Sequence, residues 1–155
     1  MKNINAISFT PKYDELEDRI RISINYDDFQ NRVDLMLTRS LTIKLFPVFD
    51  EYILKFYDSE ITPLTQSKNN IKEKILKEDS TSITDNSNLE LYKQEDELLI
   101  EVKFSYIKNT KQSVVKFLSK DSEVTAQLDL NSIKQIFTII KSSIPFFTWG
   151  ISHNF

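Results

Sequence analysis

The sequence predicts an α+β fold: one or two antiparallel sheets built from two strand-hairpin-plus-helix units, with the helices covering one face. Two kinds of hydrophobic period predict it. Apolar residues alternate over 19–26, 32–37 and 98–128, the period of half-buried strands, and recur at helical spacing over about 39–57 and 130–144. The third observation is order. Each half runs strands, then a capping residue, then an amphipathic helix, a similarity of layout without evident sequence identity. The expected organisation is a single domain over 1–155. It comprises a first ββα unit (19–57), a polar linker or flexible insertion (58–97), and a second βββα unit with an aromatic tail (98–155).

Residues 1–17 are mixed: Ile7 and Phe9 suggest a short extended piece that Pro11 interrupts, followed by an exposed acidic stretch from Glu15 to Asp18. Ile20, Ile22, Ile24 and Tyr26 then alternate with Arg21, Ser23 and Asn25, which predicts a strand. Asp27 to Asn31 forms the turn, and Val33, Leu35 and Leu37 line one face of the returning strand. Thr38 is a candidate N-cap for a helix carrying Leu41, Leu45, Val48, Phe49, Tyr52, Ile53 and Phe56, expected to kink at Pro47. From 58 to 96 large apolar residues are sparse, and Ser80 to Asn88 has the composition of a loop.

Leu98, Ile100, Val102, Phe104 and Tyr106 predict the clearest strand of the chain, with Glu101, Lys103 and Ser105 on its other face. Turns at 108–111 and 120–122 make a meander with strands over 112–119 and 123–128. Asp129 or Asn131 caps a last helix bearing Leu130, Ile133, Ile136, Phe137, Ile140 and Ile144, and Pro145 ends it.

Composition narrows the chemistry. The formal net charge is −3, with 20 basic residues interleaved among 23 acidic ones, which argues against a dedicated phosphate-binding surface. There is no cysteine, so disulfides and thiolate metal sites are excluded. One glycine, Gly150, leaves no material for a Rossmann loop, a P-loop or a glycine-framed oxyanion turn. No run of apolar residues is long enough for a transmembrane helix, and the first residues lack the apolar region of a secretory signal. A cytoplasmic protein without cofactor, metal or membrane contact is expected.

The lone histidine, His153, would have to serve any Ser/His/Asp triad, and no ligand spacing around it supports zinc. The acidic pairs at Glu15/Glu17/Asp18, Asp27/Asp28, Asp50/Glu51 and Glu95/Asp96/Glu97 sit beside turns or on solvated faces, where acidic residues are ordinary. No catalytic residue is assigned. Arg19, Arg21, Arg32 and Arg39 are candidate nucleic-acid contacts on the first sheet, where nearby aromatics could stack bases. Pairing of these arginines with Asp18, Asp27, Asp28 and Asp34 is the competing structural reading. Phe146, Phe147, Trp149 and Phe155 are the candidate partner-binding residues; Trp149 is expected to pack inward and Phe155 to reach a neighbour.

The run from Glu17 to Ile24, then Val33 to Pro47 with Leu37-Thr38-Arg39, resembles an uncharacterised family of small bacterial proteins. That family has an acidic-Arg-apolar strand and a Leu-Thr-Arg helix start. The stretch Leu128 to Asn131 and the dipeptide Trp149-Gly150 fit the same pattern; Ser40 departs from it, standing where an arginine is usual. The resemblance covers both units, skips 58–96, and implies a bacterial cytoplasmic origin with no activity attached. The functional expectation is therefore a non-enzymatic interaction module. It would be a subunit or adaptor of a larger bacterial or phage-related assembly, with a protein partner or a homo-oligomer. Single-stranded nucleic-acid binding through the first sheet is the alternative.

Overall fold

The computed structural model describes residues 1–57 and 95–152. Most of the segment expected as a linker or insertion, together with His153 and Phe155, lies outside the described residues. In chain order the elements are β1 (Lys2–Asn5), β2 (Phe9–Asp14), β3 (Arg19–Ile24), β4 (Val33–Leu37) and α1 (Arg39–Tyr57). There follow β5 (Asp96–Leu98), β6 (Glu101–Ile107), β7 (Gln112–Leu118), β8 (Ser122–Leu128), α2 (Leu130–Ser142) and α3 (Phe146–Trp149). The fold is α+β. One four-stranded sheet has the order β1-β8-β7-β6 and the other β2-β3-β4-β5. Pairing is antiparallel except for β1 with β8 and β4 with β5. Among the described residues no helix is long and apolar enough to cross a membrane.

The two units are woven together. Each consists of a lead strand, three further strands and a helix, and each lead strand pairs parallel with the last strand of the other unit. The first hairpin of each unit matches as well. Four residues separate β2 from β3 and four separate β6 from β7, and in both turns the last residue is left-handed, Asp18 at φ 50° and Lys111 at φ 53°.

Two strand pairs change sheets without a break in the chain. Between β1 and β2 the corner is held by Asn25, only 4 % exposed and itself left-handed at φ 53°. Its side-chain oxygen accepts from the Ile7 and Ser8 amides at 2.7 and 3.2 Å, and its Nδ2 donates to the Asn5 carbonyl at 2.9 Å. These bonds satisfy backbone groups that leave one ladder before joining the next. Between β5 and β6 the Leu99 amide bonds Met36 of one sheet and the Ile100 amide bonds Leu118 of the other. The side-chain parity flips at that step: Leu99 is buried, while Leu98 and Ile100 are 47 % and 59 % exposed. The single strand expected from 98 to 106 is thus two strands in two sheets, because alternation alone carries no mark of a corner. Pro11, expected to interrupt an extended piece, lies inside β2; an edge strand tolerates its missing N–H.

One core spans both sheets and both long helices. It contains Ile20, Ile22 and Ile24 of β3, Val33, Leu35 and Leu37 of β4, Val115 and Phe117 of β7, and Ile133, Phe137 and Ile140 of α2. Phe49 of α1 stacks on Phe137 of α2 with ring centroids 4.1 Å apart. α1 starts where expected, with the Thr38 hydroxyl accepting from the Leu41 amide at 3.1 Å. Pro47 stays inside this 19-residue helix and is exposed, so the carbonyl it cannot serve faces the solvent side. Asp129 is the cap of α2, accepting from the Ser132 amide at 2.8 Å.

Candidate interaction site

The sequence placed its strongest functional signal on the aromatic tail, and the described part of that tail divides sharply. Pro145 leads into α3, a single turn that Gly150 closes in the left-handed conformation at φ 66°. Trp149 is 6 % exposed and Phe146 is half-buried against the core. Phe147, on the opposite side of the same turn, is 99 % exposed.

Trp149 holds α3 in place through the β2–β3 turn. Its indole N–H donates to Oδ1 of Asp18 at 2.6 Å, and the Tyr13 hydroxyl donates to the same oxygen at 2.7 Å. The Tyr13 and Trp149 rings meet edge-on at 6.2 Å, and the Arg39 guanidinium lies over the indole at 5.6 Å while contacting Asp18 at 3.4 Å. The other unit has a counterpart. Tyr57 at the end of α1 meets Tyr106 edge-on and donates to the Lys111 carbonyl, in the equivalent turn. Each helix end therefore closes over the first hairpin of the opposite unit. Trp149 and Phe146 belong to that closure; Phe147 does not. Leu16, two residues from Asp18 in the turn that grips Trp149, is also 99 % exposed. Sequence reasoning missed Leu16, because a single leucine in an acidic turn has no periodic signal.

The donated bonds from Tyr13 and Trp149, and then the charge of Arg39, hold the Asp18 carboxyl below its ordinary range, against the opposing effect of desolvation. A carboxyl depressed by folding stabilises the native state at neutral pH, and that contribution is lost as the pH falls through its folded value. The fluorescence of Trp149, the one tryptophan of the chain, should consequently change in an acid titration with a midpoint below the ordinary aspartate range. The step should vanish in D18N. A midpoint at or above that range would show that Asp18 does not control the latch.

Three of the four candidate nucleic-acid arginines contact carboxylates of the fold. Arg32 and Asp34 are buried together, with Nε to Oδ2 at 3.1 Å and Nη2 to Oδ1 at 3.0 Å. Arg21 lies between Asp14 and Asp96, at 3.1 and 3.2 Å. Arg39 sits on the Trp149 latch, and Arg19 is half-buried at the start of β3. By strand alternation Arg19 and Arg21 share a face, away from the Ile20–Ile22–Ile24 row.

Other polar groups are also taken up structurally. Both carboxylate oxygens of Glu97 in β5 bond hydroxyls of the β7–β8 turn, those of Ser119 and Ser122, tying one sheet to a hairpin of the other. The Ser113 hydroxyl is hydrogen-bonded to those of Tyr52 and Tyr57 at 2.5 and 2.8 Å, and burial pushes the Tyr52 phenol up. Among the described residues no group of three or more His, Cys, Asp or Glu could hold a metal ion. A shallow groove of about 340 Å³ runs between α1 and β6, lined by Val48, Glu51, Tyr52, Lys55, Phe56, Val102 and Phe104. Comparison with protein-family models, curated proteins and solved structures finds no match to this chain.

Proposed function

We propose that the protein is a non-enzymatic interaction module, a cytoplasmic subunit or adaptor of a larger bacterial or phage-related assembly. It would dock a protein partner through the end of the molecule that carries Phe147 and Leu16. The observation that carries this reading is the full exposure of Phe147 on a turn that Trp149 anchors. An aromatic side chain held in water on an immobilised element loses little further freedom on binding, which is the property of a pre-organised hot spot. The structural engagement of Asp34, Glu97, Tyr52 and Tyr57 supports a non-catalytic role, since each has its polar atoms committed to bonds that hold the fold.

F147S is expected to keep the fold, because the side chain has almost no contact to lose, and to abolish capture of the partner. Affinity purification from the native host followed by size exclusion with light scattering tests both. A wild-type chain that elutes without a partner, or a partner equally retained by F147S and L16S, would count against the proposal. Single-stranded nucleic-acid binding carries less weight, because Arg21, Arg32 and Arg39 already contact carboxylates. A salt-dependent affinity for oligonucleotides lost on substituting Arg19 and Arg21 would reverse that ranking.

A further inference from the structure

Each sheet ends in two edge strands, and an unblunted edge presents backbone donors and acceptors that another strand can take up. Three of the four edges here are unsuited to that. β1 has four residues and β5 three. β2 carries Pro11, which withholds an N–H from its ladder. The fourth edge, β6, is seven residues long with neither proline nor glycine, and among the described residues it pairs only with β7. The contrast is sharpest between the equivalent strands. Aligning the two first hairpins by their turns sets Tyr13 against Tyr106, and Pro11 then falls where β6 has Phe104.

The charges on β6 select what pairs with it. Glu101 and Lys103 are two residues apart, so they share a face; they approach each other at 3.6 Å within the chain, and both side chains remain 55 % exposed and able to exchange that contact for one across an interface. We infer that β6 is a contact between two copies of this chain, pairing antiparallel with itself about a two-fold axis at Val102. In that register Glu101 of each copy stands opposite Lys103 of the other, and Ile100 stands opposite Phe104. Moving the axis to Lys103 sets two lysines face to face, and moving it to Phe104 leaves both charges opposite uncharged residues. Charge complementarity therefore favours a second copy in this register, as an isologous interface requires. Pairing makes one continuous eight-stranded sheet and brings the second copy against the apolar border of the α1–β6 groove. There Val48, 50 % exposed, has surface to bury. This surface is separate from the Phe147 end, and the two fail or stand independently.

The test is the mass of the full-length chain by light scattering across a concentration series. The wild type is expected to form a dimer, and F147S to leave it unchanged. K103E or E101K alone sets like charges opposite each other twice by symmetry, weakening the dimer on the order of tenfold or more. The double substitution E101K/K103E restores opposite charges and should recover dimerisation. Mixing the two single variants should likewise give a mixed dimer, which shows that each remains folded. A monomeric wild type, or single variants that dimerise as well as it does, would overturn the inference, as would a mixture that forms no mixed dimer.

Discussion

D34A is expected to lower the unfolding free energy by about 3–5 kcal/mol, a large part of a domain's total stability. Asp34 and Arg32 lie two residues apart at the start of β4, so strand alternation puts both side chains on one face, and their side chains are 0 % and 1 % exposed. The Asp34 carboxylate accepts from Nε and Nη2 of Arg32 and from the Ser23 hydroxyl, the last at 2.5 Å. Removing it takes the Asp34 carboxylate from a guanidinium that stays out of water, and breaking a buried ion pair costs more than losing an exposed contact. R32A should be comparably harmful for the converse reason. Replacing both by apolar residues of similar volume should recover most of the loss, because neither charge is then left behind. Urea unfolding followed by circular dichroism measures all of these. If D34A lies within about 1 kcal/mol of wild type, the pair is reached by water and does not constrain β4.

W149A is expected to cost about 3–5 kcal/mol, the range for truncating a buried aromatic side chain. The indole fills the space between α3 and the β2–β3 turn, against Tyr13 and beneath Arg39, and its N–H is bonded to Asp18 131 residues earlier in the chain. Truncation empties that space and frees α3, which has only one turn and no stability of its own. W149F keeps most of the apolar contact but lacks the donor, so it should lie between W149A and wild type. It should also weaken, without removing, the acid response that depends on Asp18, since the Tyr13 hydroxyl and Arg39 still lower that carboxyl. Unfolding of both is followed by circular dichroism, since the chain then has no tryptophan to observe. Equal stability of W149A and wild type would mean that α3 is held by other contacts, and would weaken the case that Phe147 is rigidly presented.

Much of the fold was legible because burial leaves a period. The alternation of Ile20, Ile22 and Ile24, and of Val115 and Phe117, marks the strands beneath the core. The spacing of Leu45, Phe49, Tyr52 and Ile53 marks α1, and Thr38 and Asp129 mark the helix starts by a chemistry local to a few residues. β1 was not legible, since only Ile4 of its four residues is buried and its ladder partner is β8, at the far end of the chain. Nor was the corner at Leu99, because Leu98, Ile100, Val102 and Phe104 alternate in sequence straight through the point where the chain changes sheets.

The same division holds for the candidate sites. Sequence alone determined that this chain has α+β architecture with two units of like layout, that thiolate and glycine-loop chemistry are excluded, and that four aromatic residues fall between 146 and 155. Those are matters of composition and of short-range periodicity. Tertiary structure decided which aromatics are spent on closure and which face water, that Arg32 is buried against Asp34, and that among the described residues β6 is the long edge strand without proline. Each of these depends on a partner remote in sequence, on which side of a turn meets the core, or on which strand ends a sheet. The physical reason is that exposure and pairing are properties of neighbours in space, and no local pattern encodes a neighbour that arrives more than a hundred residues later.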